Sequence, residues 1–137
     1  MTTEIEDLRL ERVRAVFGTV AYAEFLGLEM CEINGETAIC LDVRDELKQN
    51  HGVVHGGAIA SLIDTASAFA ILALLQENEK VTTTDLTIHY LRPVTSGRMI
   101  ALAKIVRAGR RRFVVSVEVK NNAALVATAM TGYLRIG

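Results

Sequence analysis

Hydrophobic residues recur at every second position through much of the C-terminal half of the chain. They form four groups: Leu86, Ile88 and Tyr90; Ile100, Leu102 and Val106; Phe113, Val115, Val117 and Val119; and Val126, Met130 and Leu134. Such alternation turns one face of an extended chain toward a core, so it predicts four strands. Gly109-Arg110 and Asn121-Asn122 supply turns, Pro93 ends the first strand and Ser96-Gly97 opens the second. Upstream, residues 28–33 and 36–43 flank Asn34-Gly35, the pair best suited to the positive φ angles of a two-residue hairpin turn. Two more strands follow from that hairpin.

Residues 56–75 are small and apolar on nearly every side, interrupted chiefly by Ser61, Asp64, Thr65, Ser67 and two leading glycines. A helix with this pattern is a buried helix. A membrane span would share it, but the central Asp, the limited length and the strand-rich surroundings argue against one. The polar stretch 45–55, with Gly52 inside it, reads as a loop of functional length. At the start of the chain, Thr3 and Glu6 read as a capping box, and early acidic residues followed by Arg9, Arg12 and Arg14 suit a helix dipole. That helix runs to about Phe17, Gly18 stops it, and residues 21–26 add another turn or two. The expected architecture is α+β: one antiparallel sheet of about six strands wrapped around one long helix, with an N-terminal helix beside it. Linkers, repeats and low-complexity stretches are absent, so residues 1–137 are read as one domain.

Composition narrows this picture. Half the residues are hydrophobic but only 5% are aromatic, so the core is aliphatic. A formal charge of -1 gives no global field for nucleic acid or an anionic membrane, and any attraction to phosphate must be local. Glu4, Glu6 and Asp7 stand where a secretory signal would be basic, which makes a cytoplasmic protein the expectation. Counting outward from Asn34-Gly35 sets Cys31 opposite Ala38 and Cys40 opposite Glu29. The two cysteines are therefore poorly placed for a disulfide and read as reduced packing thiols.

Candidate chemistry sits in Asn50-His51-Gly52-Val53-Val54-His55-Gly56-Gly57, followed after six residues by Asp64. An ionised carboxylate within an apolar helix is costly unless paired, and Ala60, Ile63, Thr65 and Ala68 offer it no cation. A contact with a backbone amide or a buried hydroxyl would account for such an Asp, and so would catalysis. Gly56 and Gly57 stand where the first helical turn leaves N–H groups without partners, and an oxyanion would fit against the Gly57 N–H; tight packing is the other reason for glycines there.

The His55-Gly56-Gly57 run, its six-residue gap and Asp64 resemble the signature of hotdog-fold acyl-CoA thioesterases of the phenylacetate-degradation type. The resemblance extends from the first strand to the last. It implies a hotdog fold, hydrolysis of a CoA thioester to a carboxylic acid and free CoA, and no cofactor or metal. It also implies Asp64 as general base or nucleophile, with activation of a water preferred. Asn50 matches the position whose amide holds the thioester carbonyl, and His55 matches the motif histidine, for which helix capping and a direct catalytic part both stay open. His51 reads as a solvated loop residue. A water-orienting hydroxyl after the helix is assigned to Thr83, although three consecutive threonines leave the register open by one residue. Arg107, Arg110, Arg111 and Arg112 cluster at one turn and suit the phosphates of CoA, or are simply solvated.

Gly57 and Asp64 lie seven residues apart, roughly 10 Å along a helix axis at ~1.5 Å per residue. One chain cannot easily bring both to one carbonyl. Two antiparallel central helices across a two-fold axis can, so a homodimer is expected, and the resemblance adds a homotetramer. Acyl-carrier-protein thioesters share the same reacting bond, and aryl-acetyl and medium-chain acyl groups are both compatible. Hotdog dehydratases act on thioesters too, but their proline-associated motifs have no counterpart in a chain whose sole proline is Pro93. A non-catalytic acyl-CoA-binding hotdog module is the alternative from another class.

Overall fold

The computed structural model describes residues 4–136. The capping box expected of Thr3 and Glu6 involves Thr3 and the Glu6 side chain, which lie outside the described residues. In chain order the elements are α1 (Glu4–Phe17), α2 (Ala21–Leu26), β1 (Leu28–Ile33), β2 (Glu36–Asp42), a short 3-10 turn (Asp45–Leu47) and α3 (Gly56–Leu72). The strands β3 (Lys80–Tyr90), β4 (Arg98–Ala108), β5 (Arg112–Asn121) and β6 (Ala124–Ile136) follow. All six strands join one antiparallel sheet in the order β1-β2-β4-β5-β6-β3, and α3 packs across its concave face. This is the hotdog fold.

Asn34 and Gly35 both take positive φ, 49° and 80°, as a hairpin turn of their type requires. The register they impose sets Cys31 against Ala38 and Cys40 against Glu29, as counted from the sequence, and both thiols are free. Burial and then the neighbouring Cys31 thiol push Cys40 up to about 12, so it stays an inert thiol. The β5–β6 turn is displaced by one residue from Asn121-Asn122: Asn121 pairs with Ala124, and Asn122 and Ala123 carry the positive φ angles. α3 ends at Leu72 rather than 75, and Arg12 of α1 donates to the carbonyls of Leu72 and Leu75. A guanidinium there both satisfies C-terminal carbonyls and complements the negative helix end.

Two strands turn over relative to their hydrophobic pattern. In β5, Phe113, Val115, Val117 and Val119 are all buried, as the alternation predicts. In β4 the fully buried residues are Met99 and Ala101, while Val106 is 58% exposed. In β6, Val126 is buried as expected, but beyond the irregularity there Ala127, Ala129, Thr131 and Tyr133 are the buried set, and Met130 is 45% exposed. Register shifts at Ile105/Arg107 and Val119/Lys120 contribute to this. The physical reason is space: a sheet wrapped on a helix favours small side chains between the two, and alanines at 101, 103, 127 and 129 meet that need. Among the described residues no helix is long and apolar enough to cross a membrane.

Candidate active site

α3 runs antiparallel to β3, and two pairs of contacts define their alignment. At one end the Tyr90 hydroxyl donates to the Gly56 carbonyl at 2.8 Å. Nearer the other, the Thr83 hydroxyl donates to Asp64 Oδ1 at 2.9 Å. Asp64 is half-buried, and the Tyr133 hydroxyl from β6 donates to the same Oδ1 at 2.6 Å. No cation pairs with Asp64 among the described residues, and Oδ2 carries no hydrogen bond there. The carboxylate is therefore held by one oxygen and open at the other. A general base needs that arrangement: fixed orientation with a free lone pair.

Thr83 reaches Asp64 because β3 contains a bulge. Counting back by twos from Leu86 would bring Thr84 and Thr82 to the concave face. The register shifts between Thr83 and Asp85, which puts Thr83 opposite Tyr133 and Leu86 opposite Thr131. Asp85, just past the shift, faces Gly132 of β6, where a Cβ would stand 2.2 Å from Asp85 Oδ1 and oblige that exposed side chain to move. Arg112 holds the bulge from outside, 3.6 Å from Asp85 and 3.3 Å from the Thr84 hydroxyl. Thr83→Ala removes the donor that β3 gives to Asp64 Oδ1 and is expected to lower kcat by about 10-fold, the low end for losing a hydrogen bond to a charged group. Steady-state kinetics on the folded variant check this.

At the start of α3, His55 is the N-cap, and its Nδ1 accepts from the Gly57 N–H at 2.8 Å. With Nδ1 accepting, the neutral ring carries its proton on Nε2. The capping role left open for His55 is thus present, and Gly57 is glycine because a Cβ would stand 2.9 Å from His55 Nδ1. The Gly57 N–H is accordingly occupied. The Gly56 N–H has no partner among the described residues, and Gly56 lines a hollow of about 340 Å³ with Gln49, Ile59, Tyr90 and Val94. Asn50 lies in an exposed turn, where its Oδ1 meets His51 Nδ1 at 3.1 Å. Gln49, one residue earlier, lines the Gly56 hollow and Asn50 does not, a distinction that sequence spacing alone does not resolve.

Arg107, Arg110, Arg111 and Arg112 surround the turn at Gly109 and line an open cup of about 470 Å³. The Gly109 N–H bonds the Arg112 carbonyl at 2.8 Å, and a Cβ there would come within 2.9 Å of that oxygen, so glycine closes the turn. Arg112 is engaged with Asp85; Arg107, Arg110 and Arg111 have no ion pair among the described residues. A further cavity, about 310 Å³, lies between α1, α3 and the β1-β2-β4 end of the sheet, lined by Val13, Ile39, Ala66, Phe69 and Ala70 among others. At 100° per residue those α3 side chains project away from Asp64, and Asp64 does not line the cavity. Within one chain, then, the structure unites Asp64 with Thr83 and, separately, His55 with Gly56 and Gly57.

A family model described as thioesterase superfamily matches residues 51–127. The chain belongs to that superfamily. It is a PaaI-like hotdog thioester hydrolase. The PaaI protein of the Escherichia coli phenylacetic acid degradation operon superposes with a TM-score of 0.86 at 25% identity, covering 98% of this chain and 97% of that one. The BH2602 protein of Bacillus halodurans, solved with CoA, gives a TM-score of 0.81 at 25% identity over 100% of this chain and 97% of its own. The medium/long-chain acyl-CoA thioesterase YigI of Escherichia coli is 30% identical over 98 residues, 62% of this chain and 63% of that protein.

Proposed function

We propose that the protein hydrolyses acyl-CoA thioesters at a site shared between two copies of the chain, with Asp64 as general base. The observation that carries this is the Asp64 carboxylate, oriented through Oδ1 by two hydroxyls while Oδ2 stays open. Asp64 Oδ2 takes a proton from a water as that water attacks the thioester carbon. The carbonyl oxygen becomes an oxyanion, stabilised by the Gly56 N–H and the positive end of α3, with the Gln49 amide beside it. Collapse of the tetrahedral intermediate breaks the C–S bond. The departing thiolate recovers the proton from Asp64, leaving a carboxylic acid and free CoA. His55 holds the Gly57 N–H and so fixes the turn that presents Gly56.

Gly56 and Asp64 are eight residues apart, about 12 Å at ~1.5 Å per residue, too far for one carbonyl to meet both. β3 offers the remedy. It is an edge strand of 11 residues, paired with β6 on one side and unpaired on the other among the described residues. An open edge is a template for another strand. If β3 pairs antiparallel with its own copy about Leu86 or Thr87, Tyr90 of one strand falls against residues 82–84 of the other. Because Tyr90 marks Gly56 and Thr83 marks Asp64, that pairing brings the Gly56 of one protomer to the Asp64 of its partner, twice over. The arginine cup, tied to β3 through Asp85 and Thr84, supplies guanidinium groups for the CoA phosphates. The CoA in the BH2602 structure and the acyl-CoA name of YigI favour this substrate class.

A thiol-release assay tests the reading, using aryl, short-, medium- and long-chain acyl-CoAs beside the same acyl groups on phosphate-free pantetheine. The expected result is CoA release with one acyl class preferred and a higher KM for pantetheine. Binding of every acyl-CoA without thiol release would instead support a non-catalytic binding module.

A further inference from the structure

Behind Asp64 lies a polar cluster that nothing in the motif accounts for. Tyr133 is fully buried, and Ser67 and Thr131 are the buried polar side chains beside it, at 0% and 1% exposure. The Thr131 hydroxyl donates to Ser67 Oγ at 3.0 Å, and Ser67 donates to the Ile63 carbonyl at 2.9 Å. Thr131 also reaches the Val115 carbonyl at 3.4 Å. Tyr133 has one proton to give. It sits 2.6 Å from Asp64 Oδ1 and 3.1 Å from the Asp64 carbonyl, and the shorter, charge-assisted contact takes it. Burial, and then Asp64 itself, push the phenol well above its ordinary pKa, so the hydroxyl remains a donor.

Three hydroxyls in an otherwise aliphatic interior are expensive unless they serve a purpose, because each must find partners that a Phe, Ala or Val would not need. Stability alone gives no reason to place them together. For Tyr133 the purpose is visible: it alone of the three bonds the Asp64 carboxylate, at Oδ1 and not at the open Oδ2, while Thr131 and Ser67 give their protons to Ser67 and to the Ile63 carbonyl. Thr83 holds the same Oδ1 from the exposed strand β3, so one donor comes from the edge and one from the core.

We propose that Tyr133 is a positioning residue that locks the Asp64 carboxylate so that Oδ2 alone meets the attacking water. The inference rests on Asp64 being the general base. Tyr133 is sealed from solvent and touches no substrate, so its loss acts on the chemical step and leaves binding alone. That separates it from Gln49 or the arginine cup, whose loss would raise KM.

The test compares Tyr133→Phe with wild type and with Asp64→Asn, using an acyl-CoA that the wild-type enzyme turns over. Tyr133→Phe is expected to lower kcat about 10- to 100-fold, the range for a hydrogen bond to a charged group, with KM unchanged within about twofold. Tyr133→Phe combined with Thr83→Ala removes both donors from Oδ1 and is expected to fall further than the product of the two single losses. Should Tyr133→Phe not fold, Tyr133→Met decides, since it removes the same donor while a flexible apolar side chain fills the space, and it is expected to lower kcat at constant KM. Wild-type kcat in Tyr133→Phe, or in Tyr133→Met if Tyr133→Phe does not fold, overturns the positioning role, and so does a rise in KM that accounts for the loss. Full activity in Asp64→Asn would overturn the general-base reading instead, which keeps the two failures apart.

Discussion

Asp64→Asn is expected to fold as the wild type does and to lose about 100- to 10,000-fold in kcat, the usual contribution of a positioned general base. The substitution is close to isosteric, and the hydrogen bonds favour its acceptance. An amide oxygen at the Oδ1 position still accepts from Thr83 and Tyr133. The amide nitrogen then occupies the place of Oδ2, which makes no hydrogen bond in the wild type among the described residues. Folding therefore loses nothing specific, and a charge is removed from a half-buried site among apolar neighbours. The chemistry loses the one lone pair able to take a proton from water. Equal thermal unfolding midpoints with a collapsed kcat, in a continuous thiol-release assay, are the expected pair of results. Wild-type kcat would remove Asp64 from the mechanism.

Gly56→Asp is expected to be nearly as damaging for the opposite electrostatic reason. The backbone N–H survives the substitution, but a carboxylate beside it competes for that donor and repels the developing negative charge, which forfeits the about 100- to 1,000-fold that an oxyanion donor contributes. The fold should tolerate the change. A Cβ at Gly56 makes ordinary contact with the Tyr90 ring at 3.4 Å, and an acidic residue in the first turn complements the helix dipole. The measured outcome should be an unfolding midpoint at or above wild type and a kcat reduced by at least about 100-fold. Gly57→Asp would be a poorer probe, because its Cβ meets His55 Nδ1 at 2.9 Å and would break the cap.

What could be read from the letters alone depended on how local each signal was. The Asn34-Gly35 hairpin, the buried helix and Asp64 within it are all encoded by neighbours in sequence, and the structure reproduces each. The faces of β4 and β6 were misleading because their larger residues, such as Val106 and Met130, lie outside while alanines line the helix. Size followed space rather than hydrophobicity. Thr83 was ambiguous with its threonine neighbours because the deciding bulge lies in the pairing of β3 with β6, far along the chain. Tyr133 gave no local sign at all, since its importance comes from a register between β6 and α3 that no short motif carries. Asn50 and Gln49 differ by one position in an irregular loop, where neither period two nor period 3.6 says which of them borders the Gly56 hollow.

The composite site is tested most directly by complementation. Asp64→Asn and Gly56→Asp, each nearly inactive alone, are co-expressed or mixed after reversible dissociation. A mixed pair of protomers has one site built from an intact Gly56 and an intact Asp64, and one doubly impaired site. Random pairing makes half of the dimers mixed, so activity should recover to about one quarter of wild type. If both groups of a site belonged to one chain, mixing the two variants would restore nothing, and the shared site would be wrong.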